Sequence, residues 1–370
     1  TVRSYYLKRI RYYLYRRYSL LRYYLFRLFR LLSRILYFFV RNVLLLLSLL
    51  SLLLILYDIG FKSQEDIKLL LHTSYKWILF CFLVLLILRL LLAKRSIISR
   101  KMLLTHIFYI LILGVVHIFR YLIWVDNSIL KYLLYHRFLD YLLITGVSLF
   151  ELSGELLIFF NKRFNPATIF LISFMLLIIF GSLLLKMPRA TVSGISYVDA
   201  LFTSTSAVCV TGLTSVDTST TFTFLGKVII LILIQAGGLG IITFTSFFGF
   251  LFLGNYSYYN QYFLRDIINE DKLGEVFKSL MKIILFTFSI EMLGSILIYL
   301  SIKELPGMGL KDKLFFSVFH SISGFCNAGF STLSDNLYDY RIRYNYGLHL
   351  IIGWLIILGG IGFPILMNVY

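Results

Sequence analysis

Cysteine is scarce in this sequence, with three residues in 370. Cys81, Cys209 and Cys326 provide neither a disulfide framework nor the spacing of a metal site. The apolar stretches also lack paired carboxylates, clusters of metal ligands and a nucleophile beside a base. These absences give no support to a membrane-bound enzyme. We expect no enzymatic activity and no resident cofactor in this chain.

Charged residues are also few, at 15% of the chain, whereas 59% of the residues are hydrophobic and the mean hydropathy is +0.85. This composition excludes a soluble domain. Apolar stretches of about 20 residues, the length that crosses a bilayer, recur along the chain. They predict an all-α protein of the cell membrane with eight spans near residues 42–57, 76–93, 104–125, 138–160, 167–186, 226–252, 280–300 and 347–369.

Acidic residues are half as numerous as basic ones, which gives a net charge of +18. The excess is concentrated in the first forty residues, where Arg and Lys recur every few positions among Tyr, Leu and Phe. This spacing predicts a basic amphipathic helix that lies along the inner membrane surface. We therefore expect contact with anionic membrane lipid and not with nucleic acid, because no nucleic-acid-binding pattern is present.

The charges of the short loops predict the orientation of the spans. Residues 94–101 carry basic residues and no acid, so we place them in the cytoplasm. The loop 58–75 contains several acids and fits the outside. The N-terminus is then cytoplasmic, as is the polar connection 253–279.

Two segments, 202–214 and 319–331, are copies of one pattern. Each follows an apolar span that ends near a proline, and each precedes an apolar span with a glycine cluster. The matched pairs are Phe202 with Phe319, Ser204 with Ser321, Ser206 with Ser323, Cys209 with Cys326, Gly212 with Gly329 and Thr214 with Ser331. A unit of span, re-entrant loop and span that occurs twice predicts a pore. Non-helical backbone at membrane depth is tolerated only where protein or a water-filled cavity covers it.

The two matched glycines suit an ion site, because glycine adopts the left-handed conformations that turn carbonyls inward. Short runs with helical potential, 199–207 and 312–324, precede Gly212 and Gly329. We expect their partially negative C-terminal ends to point at a cation. Turn glycines in an outer loop are the simpler alternative, which the matched flanking residues disfavour.

For several other residues the sequence leaves two interpretations open. The glycines after the loops either allow close helix packing or permit bending at an inner gate: Gly237, Gly238, Gly240, Gly359, Gly360 and Gly362. Four charged residues lie within or near the N-terminal spans: Arg89, Arg120, Glu151 and Glu155. Charges inside a membrane usually indicate a functional site, but snorkelling and an Arg–Glu pair explain these residues as well. We expect His320 to pack or hydrogen-bond rather than to relay protons.

The loops Val-Thr-Gly212-Leu and Phe-Cys-Asn-Ala-Gly329-Phe-Ser resemble the first and second pore loops of the Trk/Ktr/HKT potassium transporters. The resemblance implies potassium uptake, channel-like or ion-coupled, with potassium as substrate. It implies a filter in which backbone carbonyls bind the ion: those of Val210, Thr211, Gly212, Asn327, Ala328 and Gly329. The alternative is a secondary carrier of another ion or small solute built from re-entrant helices in inverted repeats. The two repeats here run in the same sense, which favours the pore.

The family has four repeats per chain, whereas this sequence carries two. We therefore expect two further repeats from a second copy or from a C-terminal half, and favour an incomplete chain. The resemblance also implies a homodimer and a cytoplasmic nucleotide-binding ring as partners. The predicted layout is a basic surface segment (1–41), an N-terminal four-helix transmembrane region (42–164), pore repeat 1 (165–254), a cytoplasmic connection (255–278) and pore repeat 2 (279–370).

Overall fold

The computed structural model describes residues 2–62, 64–92, 100–121, 137–163, 166–240, 276–303 and 307–361. Within them the α-helices in chain order are α1 Val2–Gly60, α2 Glu65–Leu92, α3 Arg100–Tyr121, α4 Arg137–Arg163, α5 Pro166–Leu185, α6 Tyr197–Val208, α7 Thr218–Thr221, α8 Phe224–Gly238, α9 Val276–Ile302, α10 Leu310–Phe325 and α11 Tyr346–Ile361. A 3-10 turn covers Asn336–Tyr338. The β-structure of these residues is one isolated bridge between Thr191 and Phe222.

Four of the described segments are long and apolar enough to cross a membrane: Arg22–Gly60, Glu65–Leu92, Leu103–Arg120 and Met281–Ile302. Three shorter helical stretches are also apolar: Leu171–Leu185, Phe224–Gly238 and Tyr346–Ile361. The protein is therefore an all-α membrane protein, as the sequence predicts. The connections 94–101 and 253–279, which carry much of the predicted orientation, lie largely outside the described residues.

The first two helices differ from the predicted spans in their bounds. The surface segment 1–41 and the span 42–57 form one helix, Val2–Gly60. Neither glycine nor proline occurs between Val2 and Ile59, so nothing in the sequence ends the helix earlier. Helix α2 begins at Glu65, ahead of the predicted span, because two acids in its first turn complement the positive end of the helix.

One compact unit comprises residues 1–55 and 66–152, and its interior holds a buried ion pair. Arg89 on α2 donates to Glu151 on α4, and the side chains are 4% and 3% exposed. His106 on α3 lies 3.4 Å from the other carboxylate oxygen. The structure thus confirms the Arg–Glu pair inside the N-terminal bundle. The side chain of Glu155 lies outside the described residues.

A second buried pair lies nearer the start of α4. Nη2 of Arg120 donates to Oδ1 of Asp140 over 2.7 Å, and Nδ1 of His72 lies 3.8 Å from the other oxygen of Asp140. Asp140 and Glu151 are eleven residues apart on α4, which corresponds to about 16 Å along a helix. The unit therefore buries two charge clusters at two levels.

The second compact unit comprises Leu56–Glu65 and Ser153–Tyr370. Within it, α5, α6 and α8 pack against one another, and α9, α10 and α11 do the same. The two groups meet where α8 contacts α10. Each group consists of a long helix, a short helix with a loop and a second apolar helix. This order of helices and loops is the one that the sequence pattern predicts, while re-entry of the loops into the membrane and the domain limits stay predictions.

The Arg89–Glu151 pair yields a first prediction. Replacing Arg89 with Leu leaves a carboxylate buried without its cation, so we expect a loss of about 3–5 kcal/mol in the free energy of unfolding. The double variant Arg89→Leu/Glu151→Leu removes both charges and should recover most of that loss. Denaturant unfolding of the purified protein measures both, with Arg34→Leu at an exposed position of α1 as the control. A double variant as unstable as the single one would contradict the prediction.

Candidate functional site

Helices α6 and α10 position the two matched loops, and the structure confirms both predicted short helices. Ser196 caps α6 by accepting a hydrogen bond from the backbone N–H of Asp199 at 3.0 Å. Gly309 begins α10 without a side-chain cap. Both helices end at a matched cysteine, Cys209 or Cys326, which occupies the C-cap. We call residues 209–214 loop 1 and residues 326–331 loop 2.

The two loops have the same backbone conformation. The residue after the capping cysteine is left-handed in both, with φ 55° at Val210 and 58° at Asn327. The glycine two positions later again has positive φ, 80° at Gly212 and 71° at Gly329. Asn tolerates this region, whereas a β-branched Val there is an outlier. The first turn of loop 1 is therefore strained.

Matched hydrogen bonds fold each loop back onto its helix. The N–H of Thr211 donates to Ser206 O over 2.8 Å, and the N–H of Ala328 donates to Ser323 O over 2.8 Å. The carbonyls of the predicted filter residues therefore follow the same course from both helix ends.

The loops approach each other at their glycines. A methyl group built on Gly212 would lie 2.6 Å from Ala328 O and 3.2 Å from the Cα of Gly329. One built on Gly329 would lie 3.4 Å from the Cα of Gly212. The structure thus brings three of the six predicted filter residues, Gly212, Ala328 and Gly329, into contact. Positive φ favours glycine at both positions, and the close approach excludes a side chain at Gly212.

Side-chain hydrogen bonds hold loop 2 in place. Ser323 donates to Phe330 O over 2.7 Å. His320 uses Nδ1–H to donate to Phe316 O at 2.9 Å, which leaves Nε2 as the acceptor for the Ser331 hydroxyl at 3.0 Å. The structure confirms a hydrogen-bonding role for His320, which holds the end of loop 2.

In the part of the chain that the structure describes, loop 1 has no equivalent side-chain hydrogen bonds. Thr203 and Ser206 occupy the positions that match His320 and Ser323, and both are buried. Neither hydroxyl has a hydrogen-bond partner among the described residues. The two loops therefore share a backbone shape but differ in how firmly it is held.

Asn327 also connects loop 2 to helix α11. With its amide assigned from the hydrogen-bond pattern, Nδ2 donates to Ile356 O and Oδ1 accepts from the N–H of Gly360, both at 3.2 Å. Val210, the matched residue of loop 1, has no polar side chain for this contact. Gly360, a glycine of the predicted gate, is thus hydrogen-bonded to the predicted filter residue Asn327.

The first glycine of each cluster allows close packing. A side chain at Gly237 would collide with Val208 O, and one at Gly359 with Phe325 O, which are matched carbonyls at the ends of α6 and α10. A side chain at Gly238 would collide with Cys326 Sγ.

The later glycines of the clusters are different. Gly240 follows the end of α8 with φ 73°, as a helix-terminating glycine does, and no atom of the described residues lies within 4 Å of a methyl group built on it. Gly362 lies outside the described residues. Close packing therefore accounts for Gly237, Gly238 and Gly359, and bending at an inner gate stays a prediction.

Two matched contacts escaped the sequence reasoning. The Ser204 hydroxyl donates to Ile178 O at 2.8 Å in repeat 1, and Ser321 donates to Glu291 O at 2.7 Å in repeat 2. One turn later along each long helix, a glycine makes room for the serine: Gly181 or Gly294. The Gly-Ser dipeptides 181–182 and 294–295 were a signal that could have found them.

Sequence reasoning also missed a buried carboxyl group near loop 2. Glu291 on α9 is 3% exposed and accepts from Nε2 of Gln235 on α8 at 3.0 and 3.1 Å. The Cys326 thiol donates to the same carboxylate at 3.8 Å. No local pattern pairs Gln235 with Glu291, because 56 residues separate them.

A charged turn lies between loop 2 and α11. The Arg341 guanidinium donates to both oxygens of Asp339 at 2.8 and 2.9 Å, and these hydrogen bonds lower the pKa of Asp339 below its usual range. Because this pKa is lower in the folded protein, the pair stabilises the fold at pH values above the pKa that Asp339 has in the unfolded chain. The contribution is lost as the pH falls through the lowered pKa of the folded state.

Comparison with known proteins identifies relatives of the two repeats. A family model described as "TrkH: Cation transport protein" matches residues 134–370. The chain is 40% identical over 207 residues to the Ktr system potassium uptake protein B of Bacillus subtilis (strain 168), which covers 56% of this chain and 46% of the relative. It is 37% identical over 205 residues to the potassium/sodium uptake protein NtpJ of Enterococcus hirae, with 55% and 45% covered. It is 36% identical over 202 residues to the Ktr system potassium uptake protein B of Vibrio alginolyticus, with 55% and 44% covered.

The chain spans about half the length of the curated relatives it matches. The family match includes both helix–loop units. Members of this family are transporters and not enzymes, as the sequence predicts. The chain therefore belongs to the TrkH family of cation transport proteins, within the Trk/Ktr superfamily that its two loops resemble.

Proposed function

We propose that this protein takes up potassium across the cell membrane through a pore, and that residues 210–212 and 327–329 are half of its selectivity filter. The observation that carries the proposal is the shared loop conformation, with left-handed residues at matched positions and contact between Gly212 and Gly329. The names of the relatives support potassium, or potassium and sodium, as the substrate.

Potassium binding follows from the chemistry of the loops. Carbonyl oxygens that converge on one point can replace the water shell of the ion. The C-terminal ends of α6 and α10 carry partial negative charge and lead directly into the loops, which favours a cation there. Re-entry of both loops from the outer face, with the N-terminus in the cytoplasm, is part of the proposal and rests on the charges of the short connections.

The proposal includes four filter loops per pore. A cation in one layer of carbonyls needs oxygens from all sides, and two loops leave half of the ring open. Loop backbone exposed at that depth would cost several kcal/mol for each unsatisfied group. The other two loops come from a second copy or from a longer chain.

We also propose that the complete protein is a dimer of pores with a cytoplasmic nucleotide-binding ring, in line with the family resemblance. The word "system" in the names of two relatives fits a transporter with more than one component. The connection 253–279, on the proposed cytoplasmic side, is the expected contact.

The filter assignment predicts that Gly212→Ser and Gly329→Ser weaken selectivity for potassium over sodium. Each substitution places a side chain at positive φ, at a strain of roughly 1–3 kcal/mol, and distorts the carbonyls beside it. Uptake of rubidium and sodium into cells that lack their own potassium uptake systems measures the ratio.

Gly194→Ser is the matched control. Gly194 has φ 83° but lies outside both loops with open space around it, so its strain is similar and its position is not. Its selectivity should stay that of the wild type. Unchanged selectivity in both loop variants would reject the assignment.

The four-loop proposal predicts the composition of the active particle. Native mass measurement of the purified, transport-competent complex should find at least four filter loops, from two chains like this one or from a longer chain. An active particle with one 370-residue chain and no other pore-forming subunit would contradict it.

A further inference from the structure

The carboxyl group of Glu291 is buried beside the helix end that leads into loop 2. Its hydrogen-bond donors are the amide of Gln235 and the thiol of Cys326, and Cys326 directly precedes Asn327. Gln235 lies two residues before Gly237 and three before Gly238, the glycines that pack on the ends of the short helices. Glu291 thus lies where the two repeats and loop 2 meet.

This carboxyl group has no cationic partner among the described residues. Its two donors are neutral, and no ion pair of the described residues includes it. Two other buried acids of the described helices do have one, since Glu151 has Arg89 and Asp140 has Arg120. A buried carboxylate costs several kcal/mol unless a positive charge compensates it, and without one the group takes up a proton.

The matching position in repeat 1 carries no charge. Ser204 and Ser321 are matched residues, and their hydroxyls donate to the carbonyls of Ile178 and Glu291 respectively. Ile178 is therefore the repeat-1 counterpart of Glu291. Repeat 2 alone has an acid at this place, so the acid is not a requirement of the shared fold.

We infer that the transported cation is the counter-charge of Glu291, and that this residue raises the affinity of the loop 2 side of the filter for cations. The inference rests on the proposed function. A cation next to loop 2 stabilises the nearby negative charge, and by linkage that charge stabilises the cation by the same free energy. Glu291 acts through the potential at loop 2 and does not itself bind the ion.

The test is the stabilisation of the purified protein by potassium. A ligand that binds only the folded state raises the unfolding temperature in a concentration-dependent way. Thermal unfolding is followed in potassium chloride against choline chloride at constant ionic strength. For Glu291→Gln, which keeps the shape of the side chain, we expect the half-maximal potassium concentration to rise at least tenfold. Rubidium uptake should show a similar rise in KM with little change in the maximal rate.

Two further variants separate charge from structure. Glu151→Gln makes the same change where the protein supplies its own cation, and its potassium dependence should equal that of the wild type. Gln235→Leu removes the amide donor and keeps the acid, so at alkaline pH, where the carboxyl group stays ionised, potassium affinity should be retained or increased. This variant also tests the inference if Glu291→Gln fails to fold.

The outcomes are distinct. Equal potassium dependence in the wild type and in Glu291→Gln would overturn the role of Glu291 and leave the proposed pore intact. Loss of potassium affinity in Gln235→Leu at alkaline pH would overturn it as well, because the pair would then be structural. If potassium does not stabilise the wild-type protein and the protein does not transport it, both the proposed function and this inference are overturned.

Discussion

The close approach of backbone to backbone is the constraint on which the second compact unit depends. In each repeat the second helix packs directly on the final carbonyls of the short helix, which only Gly237 and Gly359 permit. The loops that follow then meet at Gly212 and Gly329. Side chains at these positions would separate the helices, and separated helices could not hold two loop backbones at one point. The close packing of the backbone therefore requires these glycines, whatever further role they have.

Much of this arrangement was predictable because it is repeated within the chain. Gly212 and Gly329 were found by matching two segments, and their positive φ follows from the turn that each loop must make after its helix. The short helices were predicted within a few residues for the same reason. A duplicated pattern shows which residues matter without any knowledge of their contacts.

What escaped prediction depends on contacts that are distant in sequence. Gln235 and Glu291 meet only because α8 and α9 belong to adjacent repeats. The bonds of Asn327 to α11 need the folded position of a helix about thirty residues later. The single long helix α1 was missed for another reason. Its basic and apolar parts differ in composition, and composition was taken as a boundary where the backbone has none.

The unequal fastening of the loops has a mechanical consequence. Loop 2 is held by Ser323, His320 and Asn327, whereas loop 1 has a strained Val210 and two buried hydroxyls without partners among the described residues. The two loops therefore share a backbone shape but differ in the side-chain hydrogen bonds that hold it. Relaxation of the turn at Val210 would release strain, whereas displacement of loop 2 would break the hydrogen bonds of Ser323, His320 and Asn327.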